Sequence, residues 1–228
     1  MLQRITRALP LSVAIAILAF AWVEVSLNFS FHWMTDGDLG IGLSLPANLQ
    51  LVTPAAFISW AAYFAAGADA AAFAKSAVGS LIGAVAALLL MLSSPKVADL
   101  PDFWGISLVL AVLVFGAVLA TSLGDWYYVP AVFGAFAAVV FWWFATGLDG
   151  WADAGGGVGN SVAALAKPAT AGSGAFGGVL STPAEWVFVS SAVSLLCGSI
   201  LGWLSVRAAA ALGALSTART NEPEHSAA

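Results

Sequence analysis

Six apolar runs, separated by short polar segments, dominate this chain of 228 residues. A helix of about 20 apolar residues crosses the hydrocarbon core of a bilayer, which is about 30 Å thick. The runs cover roughly residues 9–29, 51–66, 73–92, 103–123, 129–147 and 183–206. Only 8% of the residues are charged, which excludes an ordinary soluble domain. The sequence therefore predicts one all-α integral membrane domain over residues 1–228, with six transmembrane helices.

A weak internal repeat relates the two halves of the chain. Residues 54–62 and 130–138 share five of nine positions, including Pro54 and Pro130. A second match pairs Ser76-Ala77-Val78 with Ser191-Ala192-Val193. Each copy contains three spans, about 9–92 and 103–206, so the copies face opposite ways in the bilayer. The pattern predicts a 3+3 inverted repeat, and chance coincidence of Ala, Phe and Gly is the alternative.

The positions of lysine and arginine predict the orientation of the chain. Cytoplasmic segments of membrane proteins carry an excess of these residues. With the N-terminus inside, five basic residues fall inside, namely Arg4, Arg7, Lys75, Arg207 and Arg219, and two outside, Lys96 and Lys167. We therefore expect a bacterial inner (cytoplasmic) membrane location with both termini, including the tail 207–228, in the cytoplasm.

The outer side in this orientation includes the loops at about 30–50 and 149–182. It carries six of the twelve acidic residues, namely Asp36, Asp38, Asp99, Asp102, Asp149 and Asp153. His32 with Asp36 and Asp38 could bind a divalent metal or form a pH-sensitive group, because nearby carboxylates raise the pKa of histidine. The alternative is a histidine with only a structural hydrogen bond. The insertion 149–182 is rich in glycine, and a flap over the external mouth or a surface extension would fit it equally.

Catalytic and cofactor signatures are not found in the sequence. It contains no nucleotide-binding glycine loop, no metal-thiolate pattern and no nucleophile with a base and an orienting group. We therefore predict neither an enzyme nor a cofactor, a metal site or a nucleic-acid partner.

Aromatic residues on the second and fifth spans suggest a constriction for small solutes. Glu24 is the only acid well inside a predicted span, where an unpaired charge is costly. The candidates for a solute path are Glu24, Phe57, Ser59, Trp60, Tyr63, Phe133 and Phe136. For any single ring, packing in the core or against lipid is the competing explanation.

Small residues recur every four positions on the third and sixth spans. This spacing places them on one helix face, where another backbone can approach closely. Gly79, Gly83, Gly198 and Gly202 are therefore predicted to pack helices together, within a protomer or between the protomers of a homo-oligomer. A pore lined by small residues is the alternative.

Several short motifs resemble the bacterial inner-membrane family called domain of unknown function 1097. They are Ala62-Tyr63-Phe64-Ala65 followed by Lys75, then Val129-Pro130 with Phe133-Gly134-Ala135, then Gly198 and Gly202 before a basic tail. The resemblance covers most of the spans but not the loops at 30–50 and 149–182. It implies an inner-membrane protein and brings no assigned chemistry.

Two functions fit the sequence. The first is a channel or facilitator for a small uncharged or weakly cationic solute, of the amide, urea or dissolved-gas class. The second is a non-transporting anchor or scaffold for a larger complex, with other membrane subunits as partners. Both predict contact with the lipid bilayer. A continuous polar path through Glu24, Ser59 and Tyr63 would favour the first function, which loses its support if these residues face lipid or dry protein.

Overall fold

The computed structural model describes residues 2–30, 49–97, 100–101, 104–146 and 184–220. Within these ranges the protein is all-α, as predicted. Six α-helices follow one another along the chain: α1 Leu2–Asn28, α2 Thr53–Ala65, α3 Ala70–Ser93, α4 Trp104–Leu119, α5 Val129–Thr146 and α6 Ala184–Thr220. His32, Asp36, Asp38 and the insertion 149–182 lie outside the described residues.

The helices differ in their ability to cross a membrane. Four segments are long and apolar enough to do so: Arg4–Asn28, Ala70–Ser93, Trp104–Leu123 and Ala184–Leu215. The apolar part of α5, Val129–Trp143, is shorter. Helix α2 has only 13 residues, or about 20 Å at 1.5 Å per residue. Helix α2 is therefore the shortest of the six helices.

Local sequence explains where α2 and α5 begin and how α2 joins α3. Pro54 and Pro130 lie in the first turns of α2 and α5, where proline removes no intrahelical hydrogen bond. After α2, Gly67 and Ala68 adopt positive φ values of 116° and 58°. Asp69 then caps α3, accepting a 2.7 Å hydrogen bond from the Ala72 N–H. The result is a tight reversal between two antiparallel helices.

The bundle is built on two parallel helix pairs. Successive residues of α2 meet successive residues of α6, since Val52 binds Ser194 and Ser59 binds Ser199. In the same way α5 runs along α3, which it meets near Gly79 and Gly83. Because α2 and α3 are antiparallel, α2 and α5 also run in opposite directions. The buried core between these helices includes Val52, Ala84, Ala135, Val139, Trp142 and Leu195.

The first and fourth helices lie at the periphery. Helix α1 is joined to the start of α2 by Trp22 Nε1, which donates to the Thr53 carbonyl at 3.0 Å. Helix α4 buries only Gly105 among its residues, and Trp104 and Phe115 are about 70% exposed. Both helices therefore present apolar surface away from the bundle.

Candidate functional site

An extended segment precedes α2 at residues 50–52, and serine side chains bind its backbone. Its three N–H groups donate to Ser190 Oγ, Ser30 Oγ and Ser194 Oγ at 3.0, 3.0 and 2.8 Å. Non-helical backbone at membrane depth must be satisfied by protein or by water in a cavity. Hydroxyl groups of α6 and of the segment after α1 provide those partners here.

Four serine hydroxyls meet deeper in the bundle, where α2, α3 and α6 touch. Ser59 Oγ lies 2.6 Å from Ser199 Oγ and 3.1 Å from Ser76 Oγ. Ser76 and Ser199 are 2.9 Å apart, and Ser80 Oγ donates to Ser59 Oγ at 3.2 Å. All four side chains are at most 1% exposed. We call Ser59, Ser76, Ser80 and Ser199 the serine cluster.

The hydroxyl protons of the serine cluster can all be placed at once. Ser76 donates to the Ser59 carbonyl at 2.8 Å, and Ser80 donates to Ser59 Oγ. Ser59 can then donate to Ser199, and Ser199 to Ser76. Buried polar groups that pair in this way avoid most of the cost of leaving water. The cluster is therefore an internally satisfied, polar centre in an apolar bundle.

Serine is the only buried polar or charged residue type in the described part of the chain, aromatic residues aside. The charged side chains that the structure describes are exposed, except Lys75, which is half-buried. Two buried polar atoms have no hydrogen-bond partner among the described residues, Ser191 Oγ and Trp60 Nε1. The chemistry of the interior is thus that of neutral hydrogen-bond donors and acceptors.

The aromatic candidates do not form one constriction. Trp60 and Tyr63 are buried, whereas Phe57 and Phe133 are each 39% exposed on the outside of the bundle. Phe57 stacks on Trp60 with ring centroids 5.7 Å apart. Phe133 and Phe136 line an apolar crevice between α3, α4 and α5. Packing and outward-facing surface account for these rings.

Tyr63 contacts both α6 and the turn after α2. Its hydroxyl donates to the Ala68 carbonyl at 2.8 Å, and its ring faces Gly202, where a Cβ would come within 2.6 Å of the ring. Glu24 lies elsewhere, exposed on α1, one turn before that helix ends. Asn28 Nδ2 donates to Glu24 Oε1 at 3.0 Å. Glu24, Ser59 and Tyr63 therefore do not lie on one polar path.

The four glycines lie where helices approach most closely. A Cβ on Gly83 would overlap the Val132 carbonyl oxygen, and a Cβ on Gly198 would overlap the Ala56 carbonyl oxygen. A Cβ on Gly79 would come within 2.7 Å of the Ala131 side chain. These contacts lie within one protomer, between α3 and α5 and between α6 and α2. The close approach brings the serine hydroxyls of different helices into hydrogen-bonding range.

Three members of the serine cluster were not among the candidates from sequence. Ser76 and Ser80 are one turn apart on α3, and Ser190 and Ser194 are one turn apart on α6. Four-residue spacing of serine within apolar runs is the signal that indicates a shared hydroxyl face. Ser199 lacks such a partner at i−4, and only the tertiary contact with Ser59 identifies it.

The described helices form a polytopic bundle of membrane type, in which four helices are long and apolar enough to cross a bilayer. Residues 11–210 match the family described as protein of unknown function (DUF1097), and the chain belongs to this family. The resemblance seen in the sequence is confirmed, and the match also spans both loops that the resemblance left out. Comparisons with curated proteins and with solved structures found no match.

Proposed function

We propose that this protein is a facilitator for a small uncharged or weakly cationic solute, of the amide, urea or dissolved-gas class. Its location would be the bacterial inner membrane, with both termini in the cytoplasm. One observation carries the proposal: α2 and α5 are each the second helix of their half, have proline in the first turn and run in opposite directions. Hydrophobic segments that are short or marked by proline, in corresponding positions of two inverted halves, point to the solute site of transporters built from such repeats.

Helix packing supports the inverted repeat on which the proposal rests. The sequence match pairs Gly83 with Gly198 and Val132 with Ala56. The contact of Gly83 with the Val132 carbonyl and that of Gly198 with the Ala56 carbonyl are therefore equivalent. Ile58 and Gly134, which are also equivalent, touch each other where α2 crosses α5. A contact between equivalent residues is expected on a two-fold axis.

The absence of buried charge among the described residues favours passive movement of a neutral solute. Ion-driven transporters use intramembrane ionisable groups to bind the coupling ion. The interior described here offers hydroxyls instead, and the helices around them leave Ala56, Ala84 and Ala135 fully buried. A dry, closely packed interior fits a facilitator that changes conformation better than a permanently open pore.

Solute flux into proteoliposomes tests the proposal. Purified protein is reconstituted and loaded vesicles are mixed with urea, acetamide, glycerol, ammonia or methylammonium, while light scattering or internal pH reports entry. We expect at least one solute to enter faster than in protein-free vesicles, with a rate that saturates and no ionic current. Gly116→Ala, a change at an open position on α4, should carry the same solute as fast as the wild-type protein. No acceleration for any solute would refute the facilitator.

The exposed face of α4 supports the second candidate, a membrane scaffold. This helix has almost no buried residue, and its apolar face is available to another subunit or to a second copy of the chain. Lipid alone would also satisfy that face. If the flux assay is negative and Phe115→Lys abolishes recovery of a larger complex in mild detergent, the scaffold becomes the better account.

A further inference from the structure

The repeat provides an internal comparison for the serine cluster. Under the alignment of the halves, Ser59 corresponds to Ala135, Ser199 to Ala84 and Ser80 to Leu195. These three counterparts are all fully buried, so the equivalent junction in the other half is closed by apolar side chains. Only Ser76 keeps a hydroxyl counterpart, Ser191, and that hydroxyl has no partner among the described residues.

The two junctions share the same kind of helix contact but differ in the polarity of their side chains. Both junctions sit beside the same glycine-to-carbonyl contact, Gly198 with Ala56 in one half and Gly83 with Val132 in the other. The apolar junction shows that alanine and leucine suffice to close such a contact. The four hydroxyls of the other junction instead bond to one another across three helices. Closing the junction by packing alone does not require those hydrogen bonds.

We propose that the serine cluster is the recognition site for a neutral solute that both donates and accepts hydrogen bonds, such as an amide, urea or a small polyol. This inference rests on the proposed facilitator and narrows its solute class. The Ser59, Ser76 and Ser199 hydroxyls bond to one another at 2.6 to 3.1 Å. A solute with both kinds of group replaces those bonds one for one when the helices separate.

The same chemistry rejects the other solute classes. A cation entering the cluster loses its hydration and meets no carboxylate, since buried charge is absent from the described residues. A dissolved gas breaks the bonds between the serines and returns none, so the cluster opposes its entry. Selectivity for neutral hydrogen-bonding solutes follows from hydroxyls that lie on three helices of both halves.

Two variants of the cluster are compared with one variant outside it. Ser199→Ala removes a central hydroxyl, and Ser80→Ala removes one that makes a single 3.2 Å bond, so it perturbs the fold less. Ser94→Ala is the control, because Ser94 is equally buried but donates only to Leu90 of its own helix. Each variant is checked for size and thermal unfolding in detergent, then reconstituted for flux of urea, acetamide, glycerol and methylammonium.

We expect Ser199→Ala to lower the flux of urea, acetamide or glycerol about fivefold to tenfold, since one hydrogen bond to a buried group is lost. Ser80→Ala should lower it less, and Ser94→Ala should leave it unchanged. If wild type carries no solute, the facilitator itself fails. If wild type carries a neutral solute and both cluster variants match it, or if Ser94→Ala falls equally, the facilitator stands and the recognition site is wrong. Flux of methylammonium alone would also overturn the recognition site.

Discussion

Among single residues, Ser191 is unusual because its buried hydroxyl has no hydrogen-bond partner within the described residues. A buried hydroxyl without a partner costs about 1–3 kcal/mol. Its counterpart Ser76 avoids this cost through Ser199 at 2.9 Å and Ser59 at 3.1 Å. In the proposed repeat, alanine occupies the positions that correspond to those partners, Ala84 and Ala135. The repeat therefore predicts where a partner for it could be added.

Ala84→Ser should give Ser191 that partner. Ala84 corresponds to Ser199, so the new hydroxyl is expected about as far from Ser191 as Ser199 is from Ser76. A cross-helix hydrogen bond of this kind contributes about 0.6 kcal/mol on average in a membrane protein. We expect the midpoint of thermal unfolding in detergent, followed by circular dichroism, to stay level or rise.

Ala87→Ser is the matched control for this variant. Ala87 is as buried as Ala84, but its counterpart is Gly202, so the repeat provides no hydroxyl partner there. We expect its melting midpoint to fall below that of Ala84→Ser. Equal losses in the two variants would contradict the proposed equivalence of Ala84 and Ser199.

At the element scale, the two parallel helix pairs depend on the absence of a side chain at Gly83 and Gly198. An alanine at either position would push its Cβ into a backbone carbonyl of the partner helix. Overpacking of a dense interface typically costs about 1–3 kcal/mol. We expect Gly83→Ala and Gly198→Ala each to lower the unfolding free energy by about that amount, measured by denaturation in mixed micelles.

Gly116→Ala shows what the same change does without a neighbour. Gly116 lies within α4, and a Cβ there would meet no atom within 4 Å. Alanine favours a helix over glycine by about 1 kcal/mol, so this variant should be unchanged or more stable. A loss in Gly116→Ala as large as in the other two would mean that close approach to a partner helix is not the cause of their losses.

The sequence predicted the elements better than it predicted the contacts between them. Apolar runs bounded by Pro54, Gly67 and Pro130 located the ends of α2, α3 and the start of α5 to within three residues, because local chain chemistry sets where helices start and stop. The start of α1 and the end of α6 were missed by 7 and 14 residues, since the helix continues there through less apolar sequence. The serine cluster could not be found in the same way, since Ser199 is 140 residues from Ser59. Glu24 was predicted to line a solute path because it is an acid within an apolar run. In the structure it lies one turn from the end of α1, on the exposed surface.

For the protein as a whole, the proposed orientation with both termini inside requires α2 and α5 to cross the bilayer. Six crossings with the N-terminus inside place the α2–α3 turn and the α4–α5 connection in the cytoplasm, and the segment between α3 and α4 outside. Exposed residues mark all three places, namely Ala70, Ser122 and Lys96. Cys197 is the only cysteine, so a Cys197→Ser background leaves a single introduced thiol to report its side.

A membrane-impermeant thiol reagent applied to spheroplasts should label Lys96→Cys. It should label Ala70→Cys and Ser122→Cys only after the membrane is opened. Labelling of intact spheroplasts at residue 70 would mean that α2 does not cross the membrane. Labelling at residue 122 would mean that α4 does not end on the cytoplasmic side. Reaction of all three variants in lysed cells is the control for accessibility.

The short length of α2 bears on the free energy needed to move a polar molecule across the bilayer. At about 20 Å, this helix spans about two thirds of the hydrocarbon thickness of a typical bilayer. Just before α2 begins, the N–H groups of residues 50–52 donate hydrogen bonds to serine hydroxyl oxygens. In the proposed facilitator, a polar molecule moving along α2 would cross a shorter apolar distance than one crossing the surrounding lipid. The protein would lower the permeation barrier by narrowing the low-dielectric layer itself, before any specific contact is made.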